Sequence, residues 1–276
     1  MENLLHCGRY FLNFDRPLLM GIVNLTDDSF SGDGFGGDSV RAIEHGLRLK
    51  DEGAHILDIG AESSRPGAQP VSADRELATL LPVIDGLRAC GLPLSVDTTK
   101  PQVMREAIAA GADMINDITA FRAPGAVESV SAGSTAVCLM HMQGTPQTMQ
   151  ANPSYRDVVA DVADFLAERI AAMEAAGVGR ERIVIDPGFG FGKSLEHNIE
   201  LLRKLDELAV PGIAMLAGMS RKSMLGLLTG RTVEGRLAAG IAAHLIAAQR
   251  GARILRVHDV AATKDMLSVL NAVEDY

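Results

Sequence analysis

A short apolar run followed by an amphipathic helical stretch recurs from one end of the chain to the other, and this recurrence limits the fold more than any other feature. The runs are Leu18–Val23, Ile56–Ile59, Leu92–Val96, Met114–Ile118, Ala136–Met140, Ile183–Ile185, Ile213–Ala217 and Ile254–Val257. They are rich in Ile, Val, Leu and Met and do not alternate with polar residues, which suits parallel strands covered on both faces. Helical stretches lie between them at Ser39–Glu52, Asp74–Arg88, Lys100–Ala110, Asp157–Ala176, Leu195–Leu208, Leu237–Arg250 and Ala262–Ala272, with a short one at Ala126–Ala132. Gly53, Gly91, Gly111 and Gly177 close four of these where a left-handed cap is expected. Strand–helix units repeated eight times predict an α/β TIM (β/α)8 barrel, with a doubly wound open sheet as the alternative. The 276 residues suit one such domain over 1–276. Leu4–Phe14 reads as a short N-terminal β-hairpin at the barrel bottom.

Chemistry in such a barrel gathers at the C-terminal ends of the strands. Read in order, those ends carry Asn24, Asp58, Asp97, Asn116 with Asp117, His141, Asp186, Ser220-Arg221-Lys222, and Arg256 with His258 and Asp259. Any one of these can cap a helix or anchor a loop. A polar group at every end predicts a ring of buried carboxylates, amides and cations, which needs ligands or mutual partners because unpaired buried charge is costly. Asp97, Asn116 and Asp186 suit a flat heterocycle with several N–H donors, since a carboxylate accepts two parallel N–H bonds. Lys222 suits a carbonyl on the same ring. Asn24, Arg256 and His258 suit a polyanion, held with Mg2+, a hard cation that favours oxygen ligands and phosphates. A heterocycle site beside a pyrophosphate site implies group transfer from a pterin-like donor.

Other readings fall away. Gly188-Phe189-Gly190-Phe191-Gly192-Lys193-Ser194 looks like a phosphate loop, but the Walker spacing needs glycine at Pro187 and the dinucleotide fingerprint needs it at Lys193. The run reads instead as a βα loop that brings Phe191 to a flat ligand, or as a tight turn with phenylalanine packing. His141 has no neighbouring ligands that would suggest a metal. A formal charge of −9 argues against a nucleic-acid partner. Cys7, Cys90 and Cys138 are odd in number and scattered, which fits a reducing cytoplasm and neither a disulfide framework nor a metal site. No stretch approaches the ~20 apolar residues that cross a membrane.

An ordered set of motifs resembles the bacterial dihydropteroate synthases. It runs from Met20-Gly21-Ile22-Val23-Asn24-Leu25-Thr26 through Asp58-Ile59-Gly60-Ala61-Glu62-Ser63-Ser64-Arg65-Pro66-Gly67, Ser95-Val96-Asp97-Thr98, Asn116-Asp117-Ile118 and Met140-His141-Met142-Gln143-Gly144 to Asp186–Lys193, Ser220-Arg221-Lys222-Ser223 and Arg256-Val257-His258-Asp259. The resemblance spans nearly the whole chain. It implies condensation of 6-hydroxymethyl-7,8-dihydropterin pyrophosphate with p-aminobenzoate, giving 7,8-dihydropteroate and pyrophosphate. By the same resemblance the pterin falls to Asp97, Asn116, Asp186, Lys222 and a stacking Arg256. Pyrophosphate and Mg2+ fall to Asn24, with Arg256 and His258 as cationic anion contacts. The p-aminobenzoate falls to Phe30, Ser64, Arg65, Pro66, Phe191, Lys222 and Ser223. The resemblance also implies a homodimer, sensitivity to sulfonamides, and a dissociative reaction in which pyrophosphate leaves before the aniline nitrogen attacks.

Departures from the family pattern cluster in the first two loops. Asp27 stands where proline is usual, and Gly32 is inserted before Asp33, the residue that would serve as that loop's cation-stabilising carboxylate. Ala61 replaces a glycine, Ser64 a threonine, and Gly235 a frequent glutamate. Two alternatives accompany this reading. One is a pterin-barrel methyltransferase, which would not need the Arg-Pro-Gly loop or the anion site. The other is a degenerate relative that binds pterin without turnover.

Overall fold

The strands predicted from the apolar runs pair side by side into a closed barrel. In the computed structural model, which describes residues 3–26, 38–65 and 67–274, they are β3 (Leu18–Asn24), β4 (Ile56–Gly60), β5 (Leu94–Asp97), β6 (Met114–Asp117), β7 (Ala136–Met140), β8 (Ile183–Asp186), β9 (Ala214–Ala217) and β10 (Ile254–Val257). Each is parallel to its neighbours, and β10 pairs with β3 to close the ring. Helices α1 (Ser39–Glu52), α2 (Ala73–Leu87), α3 (Pro101–Ala110), α4 (Ala126–Ser131), α5 (Val158–Ala175), α6 (Leu195–Arg203), α7 (Ser223–Thr229), α8 (Leu237–Gln249) and α9 (Val260–Glu274) cover the outside. Asp38 caps the start of α1, and Gly53 and Gly111 end α1 and α3 in the left-handed conformation. The sequence reading lacks α7, a seven-residue helix interrupted by Gly226 and therefore without a readable period. The stretch predicted as Leu195–Leu208 divides into α6 and a 3-10 turn at Leu205–Leu208.

Strand side chains alternate between the barrel interior and the helix layer. Outward residues such as Val23, Leu57, Ile59, Val96, Ile115, Leu139 and Ile185 join the helices in the largest apolar core. Inward residues change character along the strand. Low in the barrel they are Met20, Ile56, Met114, Cys138, Val184, Leu216 and Ile254. Two residues further on they are Ile22, Asp58, Asn116, Asp186, Gly218 and Arg256.

The N-terminal hairpin, β1 (Leu4–Cys7) and β2 (Tyr10–Asn13), seals the lower end. Leu5, Cys7 and Phe14 pack into the same interior cluster. Arg9 pairs with the buried Asp113 at 2.9 Å, and Gly8 N–H donates to Ser134 O at 3.0 Å. With its bottom filled by side chains, the barrel offers its cavity at the other end.

Candidate active site

A cavity of about 590 Å³ opens at the C-terminal ends of the strands. Asn24, Ser64, Arg65, Asp97, Asn116, Asp186, Phe191, Lys222, Ser223, Arg256 and His258 all line it. Phe30, Asp33 and Pro66, together with Asp27 and Gly32, lie outside the described residues. Strand register explains the convergence. Asn24 sits beside Gly60, Gly60 beside Asp97, and Asp97 beside Asn116, all at inward positions.

The floor is an ion-paired layer. Arg256 Nε donates to Asp58 Oδ2 at 2.6 Å, and its Nη2 donates to Asp97 Oδ2 at 3.2 Å. The fully buried Asp58 also accepts from Ser95 Oγ at 2.6 Å. Burial pushes the Asp97 carboxyl up to about 7, opposed by the Arg256 guanidinium. Burial works against the charge on Arg256, but Asp58 and Asp97 outweigh it and hold its pKa above the ordinary value. Asn116 Oδ1 is buried in the cavity wall and has no hydrogen-bond partner among the described residues. An acceptor left in this state costs free energy that a donor on a ligand would recover.

Across the cavity, Lys222 Nζ donates to Phe189 O and stands 4.6 Å from the centre of the Phe191 ring. Burial lowers its pKa to about 8, against the attraction of Asp186. The Asp186 carboxyl is raised by burial, with Lys222 opposing. On the anion side, Asn24 Oδ1 accepts from Thr26 N at 3.2 Å and from Thr26 Oγ1 at 2.9 Å. His258 Nδ1 lies 2.9 Å from Ser220 Oγ.

The structure corrects two expectations. First, the ring is only partly a ring. Asp117 follows the inward Asn116 and so points into the helix layer, where it accepts from Thr119 N, Thr119 Oγ1 and Phe121 N. His141 follows Met140 in the same way and packs edge-on to Phe165. Asp259 pairs with Arg221 at 2.9 Å, and Asp58 lies beneath the cavity, paired with Arg256. Second, the anion side carries a weaker base than expected at His258: burial, then the charges of Arg221, Arg256 and Arg65, hold its pKa well below the ordinary value.

Reading the strand ends also missed parts of the wall. Arg236, just before α8, reaches the cavity and donates from Nη1 to Arg221 O at 2.9 Å. Glu62 lines the cavity and accepts from Val71 N at 2.8 Å and from Lys100 Nζ at 2.7 Å. Lys100 also bonds the buried Glu76 at 2.6 Å. Glu62 therefore ties together both ends of the loop that carries Ser64 and Arg65. A glutamate two residues from Ser64 was a visible signal, but its partners lie on other elements.

The glycine-rich loop after β8 is built from conformations that side chains resist. Gly188, Gly190 and Gly192 have φ of +68°, +81° and +63°. A Cβ on Gly188 would stand 2.0 Å from His141 O and 3.1 Å from His141 C, backbone atoms that cannot swing aside. Gly188→Ala should therefore destabilise the fold by ~2 kcal/mol or more, seen as a lower urea midpoint at unchanged m. A loss within about 0.5 kcal/mol, the range of an ordinary surface change, would contradict this account of the loop.

Comparison with known proteins adds to this geometry. The profile of the pterin binding enzyme family matches residues 20–258. The dihydropteroate synthase of Neisseria meningitidis serogroup C is 49% identical over 271 residues, covering 96% of each chain. The chain belongs to the dihydropteroate synthase family. Solved synthases share its fold over nearly their whole length. That of Burkholderia cenocepacia, complexed with 7,8-dihydropteroate, is 52% identical with a TM-score of 0.91, covering 99% of this chain and 96% of that one. That of Xanthomonas albilineans, with 4-aminobenzoic acid, is 53% identical with a TM-score of 0.92, covering 100% of both. Among these synthases, too, the barrel is the common frame, and the cavity described above is where this chain gathers its polar side chains.

Proposed function

We propose that this chain works as a dihydropteroate synthase through the barrel-mouth cavity, joining 6-hydroxymethyl-7,8-dihydropterin pyrophosphate to p-aminobenzoate. The observation that carries the residue assignment is the unpaired acceptor of Asn116 between two carboxylates, Asp97 and Asp186, with the Lys222 ammonium opposite. Acceptors on one side and a donor on the other match the edge of a pterin, whose ring N–H and amino groups donate and whose carbonyl accepts. Arg256 offers its guanidinium plane for stacking while its N–H groups stay engaged with Asp58 and Asp97. The p-aminobenzoate lies against Phe191, with Lys222, Ser223, Ser64 and Arg65 around it. Phe30 and Pro66 complete this subsite by resemblance alone.

The C–O bond to pyrophosphate breaks first, and the bond electrons leave with the phosphate oxygen. The pterin ring delocalises the cation left on the methylene carbon, and the lone pair of the aniline nitrogen then forms the new C–N bond, after which nitrogen loses a proton. No side chain acts as nucleophile. Arg256, Arg221 and the His258 N–H favour charge developing on the leaving oxygens. Among the described residues no group of three or more His, Cys, Asp or Glu could hold a metal ion. Asn24 would hold the Mg2+ that accompanies the pyrophosphate, its amide oxygen giving up a Thr26 contact to do so, and the cation would supply charge neutralisation there. Asp33 would support the cation from the first loop.

The chain works as a homodimer in the cytoplasm. Of the large exposed apolar side chains among the described residues, Leu227, Leu228, Leu237, Ile246, Val269 and Val273 lie on α7, α8 and α9, against Phe11, Val40 and Leu47 elsewhere, and this is the kind of apolar surface a second copy would cover. No helix among the described residues is long and apolar enough to cross a membrane, and all three cysteines are unpaired and buried.

The test is pyrophosphate release from the pterin donor, with and without p-aminobenzoate and Mg2+. Release that ignores p-aminobenzoate, or binding without release, would remove the assignment. The kcat/KM profile should be a narrow bell. Asp97 accepts N–H bonds as a carboxylate, so activity rises with pH through about 7; Lys222 donates as an ammonium, so activity falls above about 8. Both apparent values belong to the interacting cluster. A profile flat from acid to alkaline pH would count against these two roles.

A further inference from the structure

Every backbone carbonyl from Gly188 through Lys193 accepts a hydrogen bond from a side chain. Gly188 O and Phe191 O both accept from Lys193 Nζ, at 2.9 and 3.1 Å. Phe189 O accepts from Lys222 Nζ. Gly190 O accepts from Gln150 Nε2 at 2.5 Å, Gly192 O from Tyr155 Oη at 2.7 Å, and Lys193 O from Asn198 Nδ2 at 3.3 Å. A segment with three glycines has little stiffness of its own, so these bonds set its shape.

Lys193 makes two of the six, and it does so from inside the protein: it is only 3% exposed and does not line the cavity. Burial pushes its pKa well below the ordinary value, with Asp186 opposing, and its nitrogen has room for three hydrogen-bond partners in either charge state. The three nearest acceptors are Gly188 O, Phe191 O and His141 Nδ1, the last at 2.9 Å. No carboxylate bonds to it among the described residues. The carbonyls it grips flank Phe189, whose own carbonyl receives Lys222, and one of them belongs to Phe191, whose ring faces Lys222 at 4.6 Å. His141, displaced from the ring of strand-end residues, thereby gains a role: it fastens the loop to the end of β7.

We propose that Lys193 is a positioning residue for the p-aminobenzoate subsite, stapling the β8 loop to His141 so that the Phe191 ring and the Lys222 ammonium face the same ligand. The inference rests on the synthase reading and adds a residue that never touches substrate. Side chains that hold such a site are themselves held by a surrounding layer of bonds, and losing that layer loosens the site without removing it. Lys193→Met keeps the length and apolar stem but removes the nitrogen and its hydrogen bonds.

At saturating pterin pyrophosphate, Lys193→Met is expected to raise the KM for p-aminobenzoate at least tenfold. It should change kcat less than threefold and the Kd of the pterin donor, measured by calorimetry, less than threefold. A merely structural loss would lower active protein and kcat and leave that KM alone. Should this variant fail to fold, His141→Leu, which removes one of the three acceptors, is read the same way, with a rise of about threefold expected. In the wild type, ¹⁵N NMR should find His141 neutral, with an Nδ1 signal that shifts when Lys193 is replaced by Met. An unchanged p-aminobenzoate KM, equal weakening of both substrates, or a His141 Nδ1 signal indifferent to Lys193→Met would overturn the inference while leaving the synthase reading intact. A wild-type protein without turnover in the same assay would refute the synthase reading, and this inference with it.

Discussion

Lys222→Ala should lower kcat/KM by at least a hundredfold, equivalent to ~3 kcal/mol of transition-state stabilisation, the scale of removing one preorganised polar group. The residue does three things at once: it presents an ammonium to the cavity, stands over the Phe191 ring, and donates to Phe189 O. It is also the cation that opposes the burial of Asp186. Removing it should therefore raise the Asp186 carboxyl further, and the alkaline limb near 8 that belongs to Lys222 should vanish from the variant's pH profile. Turnover close to wild type, or a lower rate with the alkaline limb still in place, would place Lys222 outside the recognition machinery.

Arg256→Met should harm both activity and stability. It leaves Asp58, fully buried, and Asp97, largely buried, without their guanidinium. Breaking a buried pair by removing one partner typically costs ~3–5 kcal/mol, because the remaining charge stays desolvated. The sign with pH follows from Asp97. Its folded pKa is already above the ordinary carboxylate value, and losing Arg256 raises it further. A group raised in the folded state keeps its stability below the unfolded value, ~3.9, and loses it as pH rises through the folded value. The variant's deficit should thus be small near pH 4, grow through neutrality and be largest at pH 8. Urea midpoints at pH 4 and pH 8 measure it, and the double variant Asp58→Asn, Arg256→Met should recover part of the loss. A deficit of the same size at both pH values would mean lost packing, not uncompensated charge.

The barrel was legible because buried parallel strands leave a distinct mark: short runs of Ile, Val, Leu and Met with helix-length gaps and closing glycines. The cavity residues at inward positions were legible for a related reason, since Asn24, Asp97, Asn116, Asp186 and Arg256 each stand at or next to the end of such a run. What failed was the choice between neighbours. Asn116 and Asp117 look alike as strand-end polar residues, but a period of two sends one to the cavity and the other to a loop cap. The basicity of His258 was hidden because it depends first on burial and then on Arg221 and Arg65, distant in sequence, together with the nearby Arg256. Arg236 and Lys193 were hidden more deeply. The first comes from a helix start, and the second stood out only as the residue that breaks a dinucleotide-binding fingerprint and as the end of a family motif.

Four consecutive residues of β6 show what the two-storey interior means for the history of such a chain. Met114 packs in the sealed lower barrel, Ile115 in the helix layer, Asn116 in the cavity wall and Asp117 in a loop cap. The cavity residue lies only ~7 Å above the one beneath it. Neighbouring codons therefore answer to unrelated demands, and a lineage can rewrite what the mouth recognises one position at a time while the foundations below it stay fixed.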